Sequence, residues 1–417
     1  MENSAFNIYL HKENDVIIYN TLSNAIVQLD AIAFDQLRTE KYQELRENLF
    51  KQGILVKNHD YELYRYKFMQ FSKMFRNDNI LLYICPTISC NFSCSYCFES
   101  TNKRSGNMSE EVEDAIIEFL VKNKKKIISI VWFGGEPLLN VQTIERISQK
   151  LKQNEVSFSA SMITNGSLLN ERVVEVLNKI PMEYIQISMD GTRTVHDSRR
   201  HFHTGIGSFD IIVKGIKNLL TNTSIPITIQ LSIDRSNSKE YERLLEFFNL
   251  VFPTEMNANR IQMNFNIIKD RTDFDRNGVC MNHQDYFNFL TYANKISVKN
   301  KRPLTLPDMA QPCMYVSRGA YAIAPDGSLY KCIEHIGNKD KSVGNILTKE
   351  ISLTDISSCT FSQCYMDNAE CQQCKIMPIC GGGCPLDREA EFGSNRLSCS
   401  FYRDYIEKIL SVIIRNV

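Results

Sequence analysis

Cys90-Asn91-Phe92-Ser93-Cys94-Ser95-Tyr96-Cys97 places three cysteines in a C-x3-C-x2-C spacing. The stretch follows an apolar run, Ile80-Leu81-Leu82-Tyr83-Ile84, which reads as a buried strand. A loop of this length can wrap three thiolates around three irons of a four-iron cubane. The fourth iron is then left for a small molecule with donor atoms. The other reading is zinc, which prefers four closed ligands and usually takes them from C-x2-C pairs. No Cys or His follows Cys97 within a short loop to complete such a set.

Working outward, strand and helix patterns alternate from residue 80 to about 300, as in a parallel α/β sheet. Strands are expected at Ile127–Phe133, Val156–Ile163, Tyr184–Met189, Ile227–Ile233 and Ile261–Ile268. With the first strand these make six βα units. Ser109 can cap a helix whose first turn carries Glu110, Glu111 and Glu113. That helix has Val112, Ala115, Ile116, Phe119 and Leu120 on one face. Gly134-Gly135-Glu136-Pro137 follows the second strand. Glycines there allow close backbone approach, and a carboxylate beside them can hold an ammonium group. Thr164-Asn165-Gly166 ends the third strand. Ser188-Met189-Asp190-Gly191 ends the fourth, before His196-Asp197 and Arg199-Arg200. Cys85 and Cys280 read as a small core residue and an idle thiol, and Trp132 as a core or wall aromatic.

These motifs resemble those of the radical S-adenosylmethionine (SAM) enzymes. The resemblance implies a partial (β/α)6 barrel with ligands at the C-terminal ends of its strands. It implies a [4Fe–4S] cluster on Cys90, Cys94 and Cys97. SAM would chelate the open iron and be cleaved reductively to a 5′-deoxyadenosyl radical. It places the SAM amino group at Gly134–Pro137, with Tyr96, Thr164, Asn165, Ser188 and Arg200 as further cofactor contacts. A structural hydrogen-bond network is the other reading of His196, Asp197 and Arg200.

The C-terminal segment holds Cys313, the G-x4-C of Gly327 to Cys332, Cys371-x2-Cys374-x5-Cys380-x3-Cys384, and Cys399. This order is similar to the SPASM extension of radical SAM enzymes that act on peptides. The resemblance implies two auxiliary [4Fe–4S] clusters. One lies on Cys371, Cys374, Cys380 and Cys399, and the other on Cys313, Cys332 and Cys384. A zinc ribbon is the alternative for the C-x2-C-x5-C-x3-C run. The chain lacks the second cysteine that usually follows the first. Cys359 or Cys364 can supply that ligand from further along, or an open iron can hold a substrate thiolate. Lys331, Glu334 and His335 are candidate proton acceptors.

Residues 1–75 read as short strands, at Asn7–His11, Asp15–Asn20 and Ala25–Leu29 (or the start of a helix there), then helices at Ala33–Leu37 and Tyr42–Lys51. Ile54-Leu55-Val56 can return as a strand. This is similar to the winged-helix modules that recognise leader peptides by strand addition. The alternative is a cap that covers the barrel. The expected domains are therefore 1–75, a barrel over 80–304, and a SPASM domain over 305–417 with a C-terminal helix. The whole resembles an α/β maturase of a ribosomally made precursor peptide. It would form a crosslink, a thioether foremost, and draw on a low-potential donor such as flavodoxin or ferredoxin. A second reading is an anaerobic sulfatase maturase, against which stands Ile333 where that family usually has Asp. A third is a non-catalytic leader-binding scaffold.

The 417 residues are 43% hydrophobic, enough for two or three cores. Zero net charge gives no basis for bulk binding to nucleic acid or membrane. Neither a signal peptide nor a long apolar run is present, and 14 cysteines point to metal binding in a reducing cytoplasm.

Overall fold

The computed structural model describes residues 1–36, 42–101, 106–269, 278–302, 304–352, 365–387 and 399–414. Leu37, Cys359 and Cys364 lie outside this set. The chain forms two compact bodies, one of residues 1–76, 287–317 and 357–417, the other of 77–286 and 318–356.

In the first body, β1 (Glu2–Asn3) pairs with β5 (Leu55–Val56). The strands β2 (Asn7–His11), β3 (Asp15–Asn20) and β4 (Ile26–Asp30) form an antiparallel sheet. Residues 26–30 are thus strand and not helix. The run Val16-Ile17-Ile18-Tyr19 is buried throughout because both faces of β3 are covered. Val16 and Ile18 pack with Leu29, Leu49, Ile54 and Leu55 beneath α1 (Ala31–Gln36) and α2 (Gln43–Lys51). Tyr19 and Ile8 pack on Ile376, Ile379, Ile406 and Leu410, with Cys374 and Cys380 at the edge. The helix α3 (His59–Met74) was not expected from hydropathy. Asn58 caps it, accepting from Tyr61 N at 2.8 Å. Its buried stripe is Glu62, Tyr66, Gln70 and Met74, half of it polar. Each polar member has a partner. Glu62 accepts from Ser4 Oγ and Ala5 N, and Gln70 donates to the Ala310 carbonyl.

The second body is built on six parallel strands, β6 (Asn79–Ile84), β7 (Ile127–Trp132), β8 (Ser159–Thr164), β9 (Met182–Ser188), β10 (Ile227–Ile233) and β11 (Ile261–Ile267). They pair in sequence order. The helices α4 (Glu110–Lys122), α5 (Val141–Gln153), α6 (Glu171–Asn178), α7 (Arg193–Arg199), α8 (Phe209–Asn222) and α9 (Glu240–Val251) alternate with them. β8 starts later than the sequence suggests because Val156 closes α5. Its N–H bonds to Leu151 O at 3.0 Å, and Glu155 turns with φ +57°. The sheet also continues where no strand was expected. β12 (Ala320–Ile323) lies parallel to β6, followed by antiparallel β13 (Ser328–Tyr330), β14 (Gly344–Asn345) and β15 (Glu350–Ile351).

Ser109 occupies the N-cap position of α4 without a side-chain cap bond. Glu113 does more than favour the helix dipole. It is fully buried, accepting from Thr143 Oγ1 at 2.7 Å and Arg146 Nε at 2.8 Å, and so locks α4 to α5. Arg146→Ala would strand this carboxylate with one partner. Because Arg146 is itself half exposed, we expect a loss of about 2 kcal/mol by urea unfolding. A loss below about 0.5 kcal/mol would show that solvent replaces the guanidinium.

Candidate active site

The cysteine loop leaves the C-terminal end of β6 and is seated on three neighbours. Gly134 and Gly135, just past β7, lie under it. A Cβ on Gly134 would stand 2.5 Å from Thr87 O, and one on Gly135 would fall on the carbonyl oxygens of Ile88 and Ser89. Gly134 also has φ +144°, which favours glycine. Gly135 N and Glu136 N donate to Thr87 O and Ser89 O at 3.3 and 2.9 Å. On a second side, Asn165 past β8 donates to Asn91 Oδ1 at 2.8 Å, and Asn91 donates to Ser167 Oγ at 3.0 Å. The third clamp is the loop after α7. Ser93 N bonds to His201 O, His203 Nε2 meets Cys90 O at 3.0 Å, and the rings of Phe92 and Phe202 meet edge-on at 4.9 Å.

Glu136 is 0% exposed. Its Oε1 accepts from Leu138 N at 3.0 Å and Thr164 Oγ1 at 2.7 Å, and its Oε2 from Asn165 N at 2.7 Å. A carboxylate has about four acceptor sites, so one remains, on Oε2. Burial pushes its pKa up, and these three bonds oppose the shift. Pro137 opens the short helical turn that follows.

Ser188 ends β9, half buried. Beyond it, Tyr96 donates to Asp190 Oδ2 at 2.5 Å and accepts from Arg200 at 2.7 Å. Arg199 also reaches Asp190, at 3.1 Å, and Asp234 at 2.7 Å. Asn237 holds the Asp190 carbonyl at 2.9 Å. His196 accepts from Asp190 N and meets Ser208 Oγ, while Asp197 caps α8 by accepting from Ser208 N and Phe209 N. His196, Asp197 and Arg199 are therefore framework. Arg200 differs, because its Nε is buried without a partner. Asp190 Oδ1 and Glu99 Oε1 are likewise buried and unpaired. Sequence reading quoted Asn91 and Arg199 without giving them a role, and passed over Asp234 and Glu99. A detectable signal was Asp234-x-Ser236-Asn237, an Asp turn at a strand end.

The three thiols lie within electrostatic reach of one another. Burial pushes Cys90 up to about 12 and Cys97 up to about 11. Arg200 opposes the rise at Cys94. Metal binding here must therefore displace protons. Among the described residues no trio of Cys, His, Asp or Glu is already gathered at metal-ligand distances. The donor set nevertheless fits a cluster with three protein ligands. The orphaned Arg200 donor beside Tyr96 and Cys94 also fits a polar, anionic co-ligand.

Along the strands themselves the face opposite the helices is lined by neutral groups. Phe265 meets Tyr241 of α9 at 5.5 Å, and Gly166 lies against both Ile187 and Ile212 of α8. Phe265 and Ile187 thus mark the helix side of the sheet. Strand register puts Gln186, Thr228 and Gln262 on the opposite face, then Ser188, Gln230 and Asn264, then Ser232 and Asn266. Tyr83, Val131, Phe133, Ser161 and Ile163 complete this face. The one charged residue in the six strands, Glu183, is exposed and unpaired at the bulge where β9 shifts register against β8.

The profile of the Radical SAM superfamily matches residues 84–248, from the end of β6 to within α9. Residues 84–248 are a radical SAM domain. It is 23% identical to the radical SAM cyclopropyl synthase TigE of Paramaledivibacter caminithermalis, over 90% of this chain and 84% of that protein. The structure of anSMEcpe with bound AdoMet and Cp18Cys peptide superposes with a TM-score of 0.66 at 18% identity, over 80% of this chain and 97% of that one. Streptococcus suis SuiB bound to precursor peptide SuiA gives 0.55 at 16% identity, over 94% and 97%. These likenesses establish the radical SAM fold, and enzymes of this superfamily use a [4Fe–4S] cluster with SAM.

The remaining sequence candidates are divided between the two bodies. Cys371, Cys374, Cys380, Cys399, Cys313 and Cys384 belong to the first body, and Cys332 to the second. Cys380 is pushed up by burial and lies within electrostatic reach of Cys374 and Cys399. Arg403 donates to Cys399 Sγ at 2.9 Å. Lys331 is 1% exposed, donates to Ala320 O at 2.7 Å and lies over the Tyr321 ring. Glu334 and His335 lie on a short helical turn after Cys332. Trp132 is fully buried, and so is Cys85. Among the described residues no helix is long and apolar enough to cross a membrane.

Two outcomes follow for the barrel. Gly135→Ala must push the cysteine loop off its seat, so reconstituted protein should lose at least half of the iron bound through Cys90, Cys94 and Cys97 while keeping its circular dichroism. Full iron content would show that the loop yields without cost. Burial, with Arg200 second, pushes His196 down to about 3, so it stays neutral in the fold. The unfolded chain protonates this residue near pH 6.5. Stability should therefore fall as pH drops from about 6.5 toward 3, by at most about 1.4 kcal/mol per pH unit. His196→Gln should flatten that slope in urea titrations between pH 6.5 and 5, and an unchanged slope would assign it to other groups.

Proposed function

We propose that this radical SAM enzyme is a maturase of a ribosomally made precursor peptide and that it forms a crosslink within it. The observation that carries the reading is the uncharged inner face of the sheet. Gln186, Gln262, Asn264 and Asn266 have no side-chain partner among the described residues. A primary amide both donates and accepts, as a peptide backbone does. A phosphorylated or strongly anionic substrate would meet no cation along these strands. The antiparallel sheet of residues 7–30 supports the reading, because the exposed edge of β4 can accept a leader as an added strand. The neighbour SuiB is solved with its precursor peptide.

In this reading Cys90, Cys94 and Cys97 hold the cluster. Gly134–Pro137, Tyr96, Thr164, Asn165, Ser188 and Arg200 hold SAM. Cluster and SAM together supply one-electron, hydrogen-abstracting chemistry. The protein's part is to seat the cysteine loop and to offer Glu136 Oε2 as the remaining acceptor for an ammonium group. It also brings the unpaired Arg200 Nε to a carboxylate and keeps solvent hydrogen donors away from the reacting carbon. Cys371, Cys374, Cys380 and Cys399, and separately Cys313, Cys332 and Cys384, would hold auxiliary clusters that receive the surplus electron. The missing second cysteine after Cys313 favours a thioether product. A flavodoxin or ferredoxin would supply electrons.

The test is anaerobic reconstitution followed by SAM, dithionite and candidate short Cys-containing peptides, drawn first from any encoded beside this gene. We expect 5′-deoxyadenosine release that Cys94→Ala abolishes, and a peptide lighter by two hydrogens that resists thiol alkylation. Bound zinc with no 5′-deoxyadenosine would leave a binding scaffold. Formylglycine in the product would instead make the enzyme a sulfatase maturase.

A further inference from the structure

Cys371, Cys374, Cys380 and Cys399 all lie in the first body, and hydrogen-bond donors gather on two of their sulfurs. Cys374 N bonds to Cys371 O at 3.0 Å, and Cys380 closes the short helix Met377–Cys380 that follows. Gly381, Gly382 and Gly383 then run at φ +58°, +80° and +76°, a left-handed path open to glycine. This path turns Gly382 N back onto Cys380 Sγ, which also accepts from Ser400 N. Backbone N–H groups folded round a sulfur in this way form the concavity that suits an iron–sulfur cluster. Arg403 adds a charged donor. Its Nη1 donates to Cys399 Sγ at 2.9 Å, with Cys374 within electrostatic reach. Glu370, the residue before Cys371, faces the same nitrogen at 3.9 Å. Arg403 stands in the first turn of the helix Tyr402–Ile414, where the positive end of the dipole disfavours a cation. The sulfur offsets that cost, and more strongly once it is a thiolate.

We propose that Arg403 is the positioning residue that sets the reduction potential of a cluster held by Cys371, Cys374, Cys380 and Cys399. The inference rests on the auxiliary-cluster reading given above. On taking the surplus electron of the coupling, such a cluster gains one negative charge, and no bond forms or breaks. A guanidinium hydrogen-bonded to a ligand sulfur stabilises that added charge and so raises the potential. The Glu370 carboxylate beside the same guanidinium acts in the opposite sense. Opposite signs from two residues that meet at one nitrogen separate a tuning role from simple support of the loop.

The test is a redox titration read by electron paramagnetic resonance on the full-length, anaerobically reconstituted protein. The parent for all variants carries Cys90→Ala, Cys94→Ala and Cys97→Ala, so that only the auxiliary clusters report. It should hold about eight irons per chain. Arg403→Gln should lower the midpoint potential of one cluster and leave the other, and the iron content, unchanged. Arg403→Lys keeps a cation and should recover part of that loss, and Glu370→Gln should raise the same potential. Cys384→Ala removes a ligand of the other cluster and so tells the two signals apart. Unmoved potentials in Arg403→Gln at full iron content overturn this inference alone. Iron lost equally from Arg403→Gln and Arg403→Lys would make the residue structural and overturn it too, as would a shift confined to the cluster that Cys384→Ala disturbs. Zinc in place of iron in the parent protein would overturn the auxiliary clusters themselves, and the inference with them.

Discussion

The barrel's chemistry depends on a backbone contact: the loop that carries Cys90, Cys94 and Cys97 lies directly on Gly134 and Gly135. Three carbonyls of that loop, at Thr87, Ile88 and Ser89, come so close that no side chain fits between. The approach is fixed by two N–H donors from the same turn. The next residue, Glu136, then ties that turn to the end of β8. One four-residue segment therefore sets the position of the metal loop and of the next strand end together. Displacement of one moves the other, which suits a site where a loop and a strand terminus must meet a ligand at fixed distance.

Much of this was legible beforehand. The six βα units, the cysteine loop and the Gly-Gly-Glu-Pro turn all follow from hydrophobic period and residue type, because parallel strands buried on both sides read as apolar runs. The glycines have a second role that sequence did not show: a side chain on either would meet the backbone of the cysteine loop itself. The partners of Arg199 were illegible because Asp190 and Asp234 lie 9 and 35 positions away. The added strands β12 to β15 are two to four residues long, too short to carry a period. The helix α3 escaped because its buried stripe includes Glu62 and Gln70. Only the distant Ser4, Ala5 and Ala310 make those residues tolerable inside.

The inner face of the sheet shows how a binding surface can be specified by omission. Six strands of six or seven residues contribute a single charge, and it sits at the exposed bulge near the start of β9. What remains on the inner side is a graded wall, aromatic and aliphatic near β6 to β8, and amide and hydroxyl near β9 to β11. Neutral hydrogen-bonding groups on rigid strands can orient a substrate without fixing the charge of its side chains. A single scaffold of this kind can thereby hold substrates of varied composition.

The N-terminal hairpin has a consequence for how the chain is made. Ile8 and Tyr19 bury their side chains against Ile376, Ile379, Ile406 and Leu410. Thr21 donates to Lys375 O at 2.6 Å, and the hydroxyls of Tyr66 and Tyr365 meet at 2.6 Å. This segment thus finds half of its core among residues about 350 positions further along the chain. During translation it must wait with an apolar strand face uncovered, exposed to misassociation. Its closure is a long loop closure and a slow one. Completion of this body therefore reports that the later, cysteine-rich segment has arrived and turned correctly.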